Sequence, residues 1–300
     1  MPSDTAFAPE SISAESALVS PVWSILSKGL TGSGKTIFSN GKEFRPCYNF
    51  MFEGRFESVL SYYKKRDGHV KDIYYNNFPL GDSSAFFKFD KKMDAIVARP
   101  EYKTIVVSSL TSFIRLVLLH LQRSSQGKRE EGTNKMKGVR MKGGIQANIL
   151  EDYNFEDSAI FDLIGFFQTC KDMGMNVILE AHITPYDIKY IDEDTGQKET
   201  STVMEVLTKG KKAPAEIPSW FNEVWLFQKV VQGAWDTTNA QAKYIINTQG
   251  DAVNSCKTSF SIPSFEWTNT DPTIQLMKFL NPDIANAPRV DPNKPQTASW

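Results

Sequence analysis

The chain is poor in cysteine, poor in histidine and nearly balanced in charge. Its 300 residues include only Cys47, Cys170 and Cys256, which lie far apart and form no CxxC pair. An odd, scattered set of this kind excludes a disulfide framework and points to reduced thiols in a cytoplasmic protein. The histidines are His69, His120 and His182, and none clusters with the cysteines, so a structural zinc site is not expected. No run approaches the ~20 apolar residues that cross a bilayer. The N-terminal stretch MPSDTAFAPESISAESA lacks the basic start and apolar run of a secretory signal. No membrane partner is expected. A net charge of −1 gives no global attraction to nucleic acid, so any such affinity has to come from a local patch.

A chain of this length buries a sizeable core without staples. Residues 1–18, rich in Ser, Ala, Pro and Glu, read as a flexible arm. Residues 281–300, with Pro282, Pro288, Pro292 and Pro295, read as an irregular tail. Between them, 19–280 reads as one domain. Apolar runs at 22–26, 47–52, 104–109, 176–181, 223–230 and 242–248 have the length of strands. Helical periodicity appears between several of them, most clearly at 112–122 and 157–173. Strands alternating with amphipathic helices predict an α/β fold, with a mainly parallel sheet flanked by helices on both faces. The strand-rich stretch 223–267 predicts an antiparallel C-terminal edge.

One contiguous motif carries chemistry. Gly29-Leu30-Thr31-Gly32-Ser33-Gly34-Lys35-Thr36 satisfies GxxxxGK[ST] and lies between a strand-like run and a helix start. The glycines let the backbone curl its N–H groups onto phosphate oxygens. Lys35 is placed for the β- and γ-phosphates, and the Thr36 hydroxyl for Mg²⁺. The expected cofactors are ATP and Mg²⁺. The helix that follows is expected to be short, because Gly41 is a stop signal.

The run Thr104-Ile105-Val106-Val107-Ser108-Ser109-Leu110-Thr111 resembles the second Mg²⁺-binding strand of phage-encoded RecA-like P-loop ATPases, some of which act in single-strand annealing or recombination. In that family the strand ends in Asp; here position 108 is Ser. Other stretches resemble the same family in the same order. Cys47–Glu53 is similar to the strand that ends in the catalytic glutamate. Asn176–His182 is similar to a strand ending in Ala-His at a γ-phosphate sensor position. Ile217–Val224 is similar to the stretch introducing the next strand. Cys256-Lys257-Thr258 is similar to a late motif near a subunit interface.

The resemblance implies a RecA-like fold over about 22–280, with Glu53 as general base, His182 as phosphate sensor and a neighbour's Lys257 completing the site. Thr36 and Ser108 are then the metal-side residues. The residues alone leave Glu53 open as a surface carboxylate and His182 as a structural residue. Glu180, polar in an apolar strand and on the same face as His182, is a minor alternative carboxylate for Mg²⁺.

The implied function is a Mg²⁺-dependent ATPase in DNA recombination or single-strand annealing, located in the cytoplasm of the host if the gene is a phage's. Implied partners are single-stranded DNA, further copies of the chain in a ring or filament, and a single-strand DNA-binding protein. Two other readings stand beside it, a nucleotide-binding structural or switch protein and a DNA-translocating motor. Ser108 favours slow hydrolysis. Residues 123–144 carry Arg123, Lys128, Arg129, Lys135, Lys137, Arg140 and Lys142 against only Glu130 and Glu131. This stretch reads as a mobile loop, either a DNA contact through Lys128, Arg129, Lys135, Lys137, Arg140 and Lys142 or a solvated charged segment. A second long loop is expected at 183–219, as a base-stacking surface, a lid or a subunit contact.

Overall fold

The computed structural model describes residues 22–54, 56–127, 141–142, 145–146, 150–191, 198–208, 216–232, 241–251, 254–268 and 270–280. The expected arm at 1–18, the tail at 281–300, and Lys128, Arg129, Lys135, Lys137 and Arg140 lie outside these residues.

β1 (Ser24–Gly29) runs through the glycine loop into the five-residue helix α1 (Lys35–Ser39). A 3-10 turn (Lys42–Phe44) leads to β2 (Cys47–Met51), α2 (Glu57–Asp67), β3 (Ile73–Asn77) and α3 (Ala85–Ala98). Then come β4 (Thr104–Ser108) and α4 (Leu110–Gly127). β5 (Met141–Lys142) and β6 (Ile145–Gln146) pair with each other. They are followed by α5 (Leu150–Asp172), β7 (Asn176–Ala181), β8 (Ile183–Ile191) and β9 (Lys198–Val206). After a 3-10 turn (Ile217–Trp220), β10 (Glu223–Gln232), β11 (Gln241–Asn247), β12 (Lys257–Thr258), β13 (Phe265–Trp267) and α6 (Pro272–Leu280) complete the order.

The main sheet has nine strands in the order β13-β11-β10-β1-β7-β4-β2-β3, with β12 paired to β10. From β10 to β3 every pairing is parallel. β11, β12 and β13 add antiparallel pairings at the C-terminal side. The phosphate-loop strand β1 is central and is separated from β4 by β7. This is the α/β, mainly parallel arrangement with an antiparallel edge that the sequence predicts.

The continuous apolar runs have a simple origin. Successive side chains of a strand point to opposite faces, and here both faces are covered. Leu26, Ile105, Val107, Val177 and Leu179 enter one core with Phe89 of α3, Phe113 of α4 and Phe167 of α5. Ile25, Val106 and Ile178 enter the opposite core with Phe38 of α1 and Leu276 of α6. Cys47 and Met51 of β2 pack with Val59 and Tyr63 of α2.

The expected loop at 183–219 needs correction. Ile183–Ile191 and Lys198–Val206 within it form a long antiparallel hairpin, β8 paired with β9 from Ile183↔Val206 to Ile191↔Lys198. Thr, Val, Ile and Tyr favour extended backbone even where charged residues interrupt the apolar pattern, and the interruptions hid the strands. Only one residue, His182, separates β7 from this hairpin.

Candidate nucleotide site

The glycine loop takes the conformation its sequence permits. Gly32 and Gly34 have φ of 78° and 93°, where a side chain would strain the backbone. A Cβ at Gly29 would come within 2.4 Å of the Phe227 carbonyl oxygen, and one at Gly34 within 2.8 Å of the Trp267 ring. The loop closes with Ser33 N donating to Leu30 O (3.3 Å), and α1 begins with Phe38 N donating to Gly34 O (3.0 Å). Lys35 is buried, and its Nζ donates to the carbonyls of Gly29 (2.8 Å) and Leu30 (2.9 Å). Burial lowers its pKa to about 8, against the attraction of Glu180 and Glu53.

Beneath the loop, a row of polar residues crosses the sheet on the face that α1 covers. Ser27 of β1 and Ser108 of β4 are both register partners of Glu180 in β7. Thr36 Oγ1 and Ser108 Oγ each donate to Glu180 Oε2 at 2.7 Å. Glu180 is only 1% exposed, and burial raises its pKa against the hydrogen bonds from Thr36 and Ser108. Its other oxygen, Oε1, and Ser27 Oγ are both buried and without a hydrogen-bond partner among the described residues. Glu180, a minor candidate by sequence, is thus the carboxylate that meets the Thr36 hydroxyl. Ser108 lies there too, with its hydroxyl directed to Glu180.

Glu53 stands two residues beyond the end of β2. Its Oε1 accepts from Ser109 Oγ (2.6 Å) and Ser112 Oγ (2.9 Å) and lies 3.1 Å from His182 Nε2. The His182 hydrogen bond is the main cause that holds the carboxyl pKa at about 2, with the two serines adding to it against partial burial. Three strand ends, those of β2, β4 and β7, converge on this oxygen. In open α/β sheets the carboxyl ends of strands are where ligands bind.

Thr31 to Thr36, Glu53, Ser108, Glu180 and His182 line one cavity of about 360 Å³. Lys229 of β10 and Tyr244 of β11 also border it. Tyr244 stacks on Trp267 of β13, with ring centroids 4.9 Å apart, and this pair packs against Gly34. No local motif marks these residues; only the pairing of β10, β11 and β13 brings them to the loop. A neighbouring cavity of about 650 Å³ shares Thr31, Glu53 and His182 and adds Arg115, Ile183 and Leu207. Leu207 N donates to His182 O (2.7 Å), closing the foot of the hairpin.

Lys257 is elsewhere. It lies on β12 opposite Val224, its Nζ is 3.4 Å from Ser219 O, and it lines neither cavity. Lys142 is in β5. Among the described residues no group of three or more His, Cys, Asp or Glu is arranged to hold a metal, and no helix is long and apolar enough to cross a membrane.

Sheet order and glycine loop together define an α/β P-loop fold with a mainly parallel sheet and an antiparallel edge. No protein-family model matches the chain, and no curated protein matches it. Among solved structures, it is similar to a KaiC-like protein from the hyperthermophilic archaeon Pyrococcus horikoshii OT3. The TM-score is 0.35 and the identity 11%, over 75% of this chain and 77% of that chain.

Proposed function

We propose that this protein binds ATP with Mg²⁺ and hydrolyses it. The observation that carries the reading is the convergence of Lys35, Thr36 and Glu53 on one cavity at the carboxyl ends of the parallel strands. The residues fit the ligand. Lys35 offers a buried cation now held by the carbonyls of Gly29 and Leu30 and the hydroxyl of Ser33, and a triphosphate is a stronger acceptor. Thr36 offers a hard oxygen donor beside a buried, unpartnered carboxylate oxygen, which suits Mg²⁺. When bound, the metal supplies neutralisation of charge on the transferred phosphoryl oxygens.

The chain's own groups then divide the work. Lys35 holds the terminal phosphates, and the loop amides fix their orientation. Glu53, ionised at any physiological pH, orients a water and accepts its proton. Ser109, Ser112 and His182 hold that carboxylate in place. His182 touches Glu53 and adjoins the β8–β9 hairpin, which offers a direct path from the cavity to the hairpin. We read this as the coupling between hydrolysis and work on single-stranded DNA in recombination or annealing. The basic stretch 123–144 and the family resemblance support that reading. Assembly into a ring or filament would let a neighbour's Lys257 act.

The test is steady-state phosphate release with and without single-stranded DNA. Wild type should turn over in Mg²⁺, and Glu53→Gln should lose turnover while keeping ATP binding. Turnover unaffected by Glu53→Gln would reject the mechanism. A nucleotide switch with little hydrolysis is favoured by the uncharged Ser108, and wild type that binds ATP without releasing phosphate would support it.

A further inference from the structure

We propose that the carboxylate holding the nucleotide's Mg²⁺ has moved one strand across the sheet, from position 108 on β4 to Glu180 on β7. The proposal rests on the nucleotide reading above and assigns the metal side of that site.

Four observations carry it. Glu180 and Ser108 are register partners on adjacent parallel strands, so their side chains leave the same face at the same level. A carboxylate can therefore be supplied from either strand to nearly the same place. Glu180 Oε2 accepts the hydroxyl of Thr36, the P-loop residue whose oxygen is the expected metal ligand, at 2.7 Å. Ser108 Oγ donates to the same oxygen at 2.7 Å, so the serine supports the carboxylate rather than replacing it. Finally, Glu180 Oε1 is buried without a partner among the described residues, and so is Ser27 Oγ on the next strand in register.

An unpartnered carboxylate oxygen in a protein interior is costly and calls for an occupant. A divalent cation with its water shell meets that need in a way a purely structural role does not. Mg²⁺ keeps several waters and is bound through one or two carboxylates together with phosphate oxygens. Glu180 serves by accepting from those waters or by direct ligation, with Thr36 completing the protein's share. Ser27 Oγ is placed to bond a water of the same shell. Its longer side chain lets Glu180 cover the distance that an aspartate on β4 would have covered.

The experiment uses the full chain, Mn²⁺ as probe and the β,γ-imido analogue of ATP. Paramagnetic resonance gives the Mn²⁺ affinity of the protein–analogue complex, and calorimetry gives the analogue's affinity in EDTA and in Mg²⁺. Glu180→Gln keeps an acceptor for the Thr36 and Ser108 hydroxyls and removes only the charge. It should lower Mn²⁺ affinity by ~10–100-fold and leave the analogue's affinity in EDTA intact. Adding Ser108→Asp to Glu180→Gln should restore Mn²⁺ affinity by returning a carboxylate to β4. Ser108→Ala alone should retain most Mn²⁺ affinity, because Glu180 remains. Wild-type Mn²⁺ affinity in Glu180→Gln would overturn the proposal and leave Glu180 a structural group. Loss of Mn²⁺ affinity in Ser108→Ala as large as in Glu180→Gln would also overturn it. If wild type bound no analogue in either buffer, the nucleotide reading itself would fall.

Discussion

His182 Nε2 lies 3.1 Å from Oε1 of Glu53, and these two residues stand at the ends of strands 129 positions apart in the chain. The contact joins the expected general base to the only residue between β7 and the β8–β9 hairpin. It is also the main reason that the Glu53 carboxyl titrates at about 2.

A pH dependence follows. The folded-state pKa of Glu53 is depressed, so its contribution to stability is present above the ordinary glutamate range and lost as pH falls through about 2. His182→Ala removes the largest cause of the shift. The Glu53 carboxyl should then titrate higher, toward the ordinary value of about 4.3, while Ser109 and Ser112 retain part of the depression. Carbon-13 NMR of labelled glutamate checks this. An unmoved titration would mean that His182 does not hold Glu53.

The aromatic edge of the sheet sets a second expectation. Gly34 has φ of 93° and faces the stacked rings of Tyr244 and Trp267. Gly34→Ala adds a Cβ that has neither the backbone freedom nor the space. Strain of this kind costs about 1–3 kcal/mol, and relief of the clash would also shift the loop. Urea unfolding should report the destabilisation, and ATP affinity should fall with it. An unchanged midpoint would show that the loop does not lean on Trp267.

How much of this was legible in the sequence depends on whether the chemistry is contiguous. The glycine loop is, because curling one backbone around phosphate requires glycines and lysine at fixed spacing. The strands of the sheet's centre were legible because burial on both faces makes them uniformly apolar. β3 was not, since only Ile73 of its five residues is buried. α2 was not either, with Val59 and Tyr63 as its buried residues. Glu53 and His182 could be named because they end apolar runs. Glu180 is only a minor candidate in the sequence because its partnership with Ser108 is a matter of register, and the two lie 72 positions apart in the chain. Lys229, Tyr244 and Trp267 reach the site only through strand pairing.

The nucleic-acid reading makes a prediction of a different kind. Replacing Lys135, Lys137, Arg140 and Lys142 with neutral residues should weaken single-stranded DNA binding and flatten its salt dependence. For single strands, every phosphate that these cations no longer neutralise takes about 0.7 off the slope of log affinity against log salt. Fluorescence anisotropy over a salt series measures it. An unchanged slope would remove residues 123–144 from the DNA-binding account.

The claim on which the rest depends is that phosphate binds where Lys35 points. Lys35 Nζ now donates to the carbonyls of Gly29 and Leu30, and a triphosphate would draw it forward. A hydrogen bond between charged groups contributes about 1.5–3 kcal/mol, so Lys35→Ala should weaken ATP binding roughly tenfold or more. Titration calorimetry of wild type and Lys35→Ala with ATP is the direct measurement. Binding by wild type and a loss of that size in the variant is the predicted result. Equal affinity in the two proteins would contradict the assignment of the loop as a nucleotide site.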